Sequence, residues 1–542
     1  MSYLFDLPKE FALYSFIAIH AIIGSHLFFR TLRIFRQPNT RHTVFWASTI
    51  IVTLLCGAYF EYPADPWAHA QSIFNWEHLD SFRDSYHSHR FAYFWDWTLL
   101  RWLPPIPRWY SLDVLASFWL TLTLYQVYLL SRDLGFSRSW SQVQCVAFLS
   151  FFGTNLFSFR YYAISATPLA FISYLAALRI TIRIVRNKET ELWKLPLLLL
   201  CCYFNHLQEV FLYATSAIAI GIWFWGFRRP LITHPKLQWA ILISVVILGA
   251  TLGTWMRHFH PEYFRILGLH QIAWYGGIKV WSRTLPYAET LGLHGAISLA
   301  LSVWIMRSNP LIALLSLIPF IVIAFPLSTL SIAAVSPTGY IPYRILFAFP
   351  TSITLVWGLR GLIRQRPRLK LLASAGLLIM SLVYAFPFRG RLFFQFYRPP
   401  EVRTLKQNLP VVNWLYHNRD FKNCIYLSDD QMAMTLNIFG DHTGPTNRSG
   451  MTDLTLNIRE DNNPALILDE SKICGFLLLD YPNLNLPITQ SRLGLSSKHW
   501  DQDPGNIRWH YNGRMTTWLM KAEKLGWKPT QKINHYILYE TN

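Results

Sequence analysis

Apolar runs long enough to cross a bilayer recur along the first 390 residues, and few folds can accommodate them. A spanning helix needs about 20 predominantly apolar residues. Runs of that order, some shorter, occupy 11–29, 43–60, 112–131, 141–158, 163–185, 193–207, 209–226, 237–256, 290–306, 310–330, 343–363 and 370–388. In hydrocarbon every backbone N–H and C=O must find its partner within the chain, so such runs form helices. Composition agrees: 52% of the residues are hydrophobic and only 15% charged, where soluble domains carry about 25% charge. The expected fold is a polytopic α-helical membrane protein of about 11–13 spans, followed by a C-terminal soluble α/β domain.

The formal net charge of +19 does not point to nucleic acid, because the Lys and Arg residues fall mostly in short loops between spans. Arg30, Arg33, Arg36 and Arg41 form one such group. Arg132 with Arg138, Arg183 with Arg186 and Lys188, and Arg228 with Arg229 and Lys236 form others. Arg307 and the run Arg360, Arg364, Arg366, Arg368 and Lys370 complete them. Each group lies an even number of crossings from the next, so one orientation places nearly all of them in the cytoplasm. Segments 61–107, 257–289 and 331–342, and everything after 388, then lie outside. The first apolar run follows Asp6 and Glu10 and lacks a small-residue cleavage site, so no cleavable signal peptide is expected.

The transmembrane domain is expected over 1–390, with an amphipathic external loop at 61–110, and an extracytoplasmic α/β domain over 398–542. In the latter, strand-like runs appear at Cys424–Leu427, Gly475–Leu479 and His535–Tyr539. They read as buried on both faces, which favours helices packed against a sheet. Cys424 and Cys474 each begin a predicted strand, either as a disulfide or as two buried thiols.

The external segments concentrate chemistry. Glu61 and Asp65 open the first loop where hydrocarbon gives way to water, a boundary that raises a carboxylate's pKa and suits it to accept a proton. His69 follows four residues after Asp65, spaced to orient a carboxylate or an acceptor. Tryptophans and tyrosines crowd the rest of this loop, as expected of a helix lying at headgroup level. Positive charge outside opposes the usual loop asymmetry. Arg90, Arg257 and Arg344 are therefore candidates for holding phosphate, which guanidinium binds in bidentate fashion. Arg344, after Pro342 and Tyr343, stands at the entrance of a long apolar run. No cofactor is called for. A divalent metal ion is the one candidate, with His258, His260 and Glu262 as its weakly patterned ligands. Asn205-His-Leu-Gln-Glu209 forms a polar knot between two apolar runs, either a tight hairpin surfacing outside or a broken helix lining a cavity.

With these residues placed, the chain resembles the GT-C superfamily of integral membrane glycosyltransferases, which take sugars from polyprenyl-phosphate carriers. The likeness covers most of the chain: many spans, a long external loop opening with acids, a broken helix pair in mid-bundle and an external C-terminal domain. It implies that Glu61 or Asp65 acts as base, that Arg344 holds the carrier phosphate with help from Arg90 or Arg257, and that Tyr343 and His69 line the site. The partners implied are the bilayer, a polyprenyl-phosphate-linked sugar and a glycan, lipid or protein acceptor. The location implied is a bacterial inner (plasma) membrane, with the site on the periplasmic or extracellular side. In the family the acid usually follows the first span, whereas here the run 11–29 precedes it. Competing expectations are a polysaccharide polymerase or ligase working through external Arg and His, and a transporter or flippase accessory. Transport fits poorly, because ionisable residues gather at the outer interface and no repeat is visible.

Overall fold

The computed structural model describes residues 40–56, 69–70, 73–74, 92–102, 108–152, 167–187, 192–206, 208–228, 292–324, 345–365, 402–419, 424–428, 432, 435–436, 473–479, 526–534 and 536–540. The runs at 11–29, 237–256 and 370–388 lie outside them. The other expected spans coincide with helices: α1 (Thr40–Cys56), α3 (Arg108–Asp133), α4 (Arg138–Phe152), α5 (Thr167–Val185), α6 (Lys194–Asn205), α7 (Gln208–Trp223), α8 (Gly292–Ile305), α9 (Pro310–Ala324) and α10 (Thr351–Gln365). Helix α2 (Ala92–Trp102) falls within the aromatic first loop, α7 continues as a π turn over Phe224–Arg228, and a 3₁₀ turn at Ile345–Ala348 leads into α10. Among the described residues, three helical stretches are long and apolar enough to cross a membrane: Val114–Asp133, Thr167–Val185 and Gln208–Phe227.

Local chemistry sets the helix ends. Pro310 opens α9, where its missing N–H costs nothing, and the Asn309 side chain accepts the Ile312 N–H at 3.3 Å. Helix α3 closes on Gly135, whose φ of +101° lets the Phe136 N–H reach the Ser131 carbonyl at 3.0 Å. That is a left-handed cap which a side chain would strain.

Lipid tails are as apolar as leucine, so helices associate through close packing and buried hydrogen bonds rather than through exclusion of water. The interior follows that rule. The Gln144 amide of α4 donates to Ser352 Oγ of α10 at 2.6 Å. Ser298 of α8 meets Ser316 of α9 and the Thr351 carbonyl, each at 3.4 Å. Thr53 near the end of α1 meets Ser117 of α3 at 2.7 Å. Helices α8 and α10 approach closely at Gly358, where a Cβ would stand 3.1 Å from Leu301. Large apolar side chains such as Ile51, Ile218, Val303 and Ile321 remain outward-facing, as lipid contact requires.

One end of the bundle is tied by arginines. Arg179 of α5 donates to Asp133 Oδ2 at 2.8 Å and to Gln126 Oε1 at 2.9 Å. Arg186 donates to the Asp133 carbonyl and sits over the Trp223 ring of α7 at 5.8 Å. Arg360 of α10 donates to the Gly135 carbonyl at 3.2 Å. The C-terminal ends of α3, α5, α7 and α10 therefore meet at the corner between α3 and α4. Of these residues, Arg186 and Arg360 belong to the basic loops expected to share the cytoplasmic side.

Beyond the bundle, β1 (Ile425–Ser428), β2 (Ile473–Leu479), β3 (Lys528–Ile533) and β4 (Tyr536–Glu540) form a sheet of order β1-β2-β4-β3. The β1–β2 pair is parallel and the other two antiparallel. Helix α11 (Val402–Asn418) covers the sheet: Val411, Val412 and Leu415 share a core with Tyr426, Leu477, Tyr536 and Leu538. The expectation of strands buried on both faces needs correction. Strand β4 alternates buried with half-buried residues, and β3 is exposed except at Ile533, because helix α11 fills the one core that is described. Strand β3, Lys-Pro-Thr-Gln-Lys-Ile, carries no apolar alternation and was not foreseen.

Cys424 and Cys474 form a disulfide joining β1 to β2, with Cα atoms 5.4 Å apart. Closing a 50-residue separation stabilises by about 4 kcal/mol on chain-entropy grounds. Beside it, Arg419 grips Glu540 with two hydrogen bonds of 2.8 Å each, and Thr530 adds one at 3.1 Å. Gly475 faces this clamp: a Cβ there would stand 2.7 Å from the Tyr539 carbonyl, so only glycine fits.

Two stability outcomes follow from these contacts. Asp133→Ala leaves Arg179 buried without its carboxylate and should cost about 3–5 kcal/mol, read as a lower melting temperature of the detergent-solubilised protein. Arg179→Met combined with Asp133→Leu should recover much of that loss. For Glu540, burial pushes the carboxyl up, but the Arg419 and Thr530 hydrogen bonds pull it further down, below its ordinary 4.5. A depressed carboxyl stabilises the folded state above its unfolded pKa and stops doing so as pH falls through the folded one. Acidification below about pH 4 should therefore weaken the C-terminal domain, and Glu540→Gln should flatten that pH dependence of tryptophan-monitored melting.

Candidate active site at the outer end of the bundle

The arginine-tied corner occupies one end, so the opposite end holds the start of α3, the end of α1, helix α2 and the start of α7. Four aromatic and polar side chains meet there. Trp119, on the inward face of α3, donates its indole N–H to Asp96 Oδ1 at 2.7 Å. Asp96 lies on α2 and is fully buried, as is Tyr93 three residues earlier on the same helical face. The Tyr93 hydroxyl is hydrogen-bonded to His69 Nδ1, and the His69 ring is itself buried. Trp97, four residues after Tyr93 and packed against the same core, carries Arg101 4.1 Å over its ring.

This arrangement explains why α2 forms where it does. Its buried face is Ala92, Tyr93 and Asp96, and its remaining residues are mostly aromatic and half-buried. The carboxyl of Asp96 is pushed well above its usual range by burial, against the smaller pull of the Trp119 hydrogen bond. Its second oxygen, Oδ2, has no partner among the described residues. A carboxyl in that setting favours its protonated form and is able to donate a proton or a hydrogen bond.

A second polar cluster sits where α6 gives way to α7. Helix α6 ends at Asn205, and His206 turns extended at φ −159° and ψ 104°, its N–H on the Cys202 carbonyl. Helix α7 then begins at Gln208. His206 Nδ1 is 2.6 Å from Glu209 Oε2. Glu209, Asn205 and Gln208 are buried, so the polar knot is enclosed by protein and does not surface; it is the break at which the chain turns from α6, antiparallel to α5, into α7. One step further along α7, the Tyr174 hydroxyl bridges Ser216, at 2.8 Å, and the carbonyl of Ala348. That contact fixes the 3₁₀ turn against α7.

Of the residues singled out in the sequence, His69 is the one described, and it pairs with Tyr93. Glu61, Asp65, Arg90, Arg257, His258, His260, Glu262, Tyr343 and Arg344 lie outside the described residues. The 3₁₀ turn begins at Ile345, immediately after Arg344 in the chain. Among the described residues no group of three or more His, Cys, Asp or Glu is placed to hold a metal ion. Sequence reasoning passed over Asp96. An acid inside Tyr-Phe-Trp-Asp-Trp, a stretch otherwise destined for the membrane surface, is the signal that marks it.

No protein-family model and no curated protein matches the chain. Solved structures do. ArnT from Cupriavidus metallidurans, bound to undecaprenyl phosphate, aligns with 93% of this chain and 98% of its own, at 11% identity and a TM-score of 0.51. The oligosaccharyltransferase of Archaeoglobus fulgidus, in complex with Zn and sulfate, aligns with 80% of this chain and 68% of its own, at 11% identity. Its TM-score of 0.41 adds nothing to the assignment. At such identities a likeness speaks for the fold alone, and over nearly the full length of both chains the fold of this protein is similar to that of ArnT.

Proposed function

We infer that this protein is a membrane glycosyltransferase that moves a sugar from a polyprenyl-phosphate carrier to an acceptor on the extracytoplasmic face. The observation that carries this reading is the near full-length likeness to a protein holding undecaprenyl phosphate. Two features of the chain support the side of the membrane. The arginine-tied end matches the basic loops expected in the cytoplasm, and the Cys424–Cys474 disulfide suits an oxidising compartment.

In the proposed reaction the carrier's tail lies between spans and Arg344 holds its phosphate, with help from Arg90 or Arg257. Glu61 or Asp65 takes the proton from the acceptor's hydroxyl or amine. That nucleophile forms the new bond to the anomeric carbon as the bond to the phosphate oxygen breaks, and the carrier phosphate leaves with the electron pair. A phosphate leaving group calls for electrostatic stabilisation more than for an acid, which is the role given to guanidinium here. A divalent metal ion on His258, His260 and Glu262 would add to that stabilisation. The Asp96–Trp119 contact holds α2, and with it the His69–Tyr93 pair, against the bundle.

Purified protein in nanodiscs should bind undecaprenyl phosphate, and Arg344→Ala should weaken that binding about tenfold or more. Glu61→Gln and Asp65→Asn should leave carrier binding intact, and at least one should abolish sugar transfer to acceptors in native membranes. Full activity in both variants would remove the base from the scheme. Asp96→Asn, isosteric with the protonated acid, should melt no lower than the parent at neutral pH. Asp96→Ala strands the buried Trp119 N–H and should cost about 1–3 kcal/mol.

A further inference from the structure

The joint between α6 and α7 carries two buried oxygen acceptors with no donor among the described residues. Glu209 is fully buried; His206 engages its Oε2 at 2.6 Å, and its Oε1 has no partner among the described residues. Asn205 is 1% exposed. Its amide nitrogen donates to the Cys201 carbonyl at 2.7 Å, which orients the group and leaves Oδ1 equally unpartnered.

Such a joint is expensive to keep. An unsatisfied buried acceptor costs about 1–3 kcal/mol, more when charged, and an apolar residue at either position would pack without that penalty. Irregular backbone at membrane depth is tolerated where it is enclosed by protein or lines a cavity. An ionisable residue within a span is, by default, a mark of function. The spare valences here are all of one kind, acceptors, so the complementary ligand is a donor. With His206 beside the carboxylate, the remaining lone pairs suit neutral donors such as hydroxyls. Asn205 and Glu209 are buried within the helices, which favours a group delivered between helices on a lipid over one arriving from solution. The joint also lies on α7, the helix against which the turn following Arg344 packs.

We propose that Asn205 Oδ1 and Glu209 Oε1, held by Cys201 and His206, form the subsite that accepts hydrogen bonds from hydroxyls of the carrier-borne sugar. This deepens the glycosyltransferase reading and rests on it. It assigns recognition of the sugar to the joint between α6 and α7, and recognition of phosphate to the arginines.

The test separates the two assignments. The full-length protein in nanodiscs is titrated with bare undecaprenyl phosphate and with undecaprenyl phosphate carrying glucose, mannose or galactose. The parent should bind at least one sugar-bearing carrier about tenfold or more tighter than the bare carrier. Glu209→Gln and Asn205→Ala should each reduce that gain to near unity while leaving affinity for the bare carrier unchanged. Should Glu209→Gln fail to elute as folded protein, Asn205→Ala decides alone. The subsite is overturned if the variants keep the gain, if they weaken bare and sugar-bearing carriers equally, or if the parent shows no gain with any of the three sugars. Failure of the parent to bind bare carrier would instead overturn the glycosyltransferase reading itself.

Discussion

Arginines from α5, α10 and the turn after α5 close on one corner, where Asp133 and the carbonyls of Asp133 and Gly135 receive them. Guanidinium retains its charge when buried, so each of these side chains needs a permanent acceptor. The corner supplies them with one carboxylate and with carbonyls freed by the left-handed cap at Gly135. Because four helix C-termini meet there, the contact fixes the direction of α3, α5, α7 and α10 at once.

The opposite end is built on a different principle. Its ionisable side chains are held by single neutral donors or by histidine, and each keeps one oxygen in reserve. Asp96 takes one hydrogen bond from Trp119, and Glu209 takes one from His206. At the tied end each named guanidinium meets at least one carboxylate or carbonyl oxygen, although Arg360 Nε has no partner among the described residues. At the outer end the carboxyls are under-satisfied, which is costly in a packed interior and is retained where a ligand or a proton completes the set.

Much of the architecture could be read from the chain because two strong signals coincide in membrane proteins. Run length reports the helices, and the placement of Arg and Lys reports their direction. The basic loops grouped by counting crossings include Arg132, Arg186 and Arg360, which gather at one corner in space. Contact geometry was less legible. Strand β3 has a polar sequence with proline and no alternation, so nothing short of its pairing with β4 reveals it. The polar knot was visible as composition, but whether it surfaces is a matter of burial, which tertiary packing decides. Asp96 was hidden for a related reason: a residue in an amphipathic surface helix faces headgroups or protein according to the rotation of that helix, and Trp119, 23 residues on, sets it.

The C-terminal domain extends the division between the two faces into solvent. Its one described core is small, a helix laid over four short strands, and a core of that size gains much from covalent and ionic closure. The disulfide joins the edge strand β1 to β2. The Arg419–Glu540 clamp ties the end of α11 to the last strand, on the other side of β2. Together they hold the sheet from two directions around Gly475, the position where no side chain fits. Stabilisation by a disulfide persists only where thiols stay oxidised. The proposed extracytoplasmic placement of this domain meets that condition, and a cytoplasmic one would forfeit the roughly 4 kcal/mol that the closure contributes.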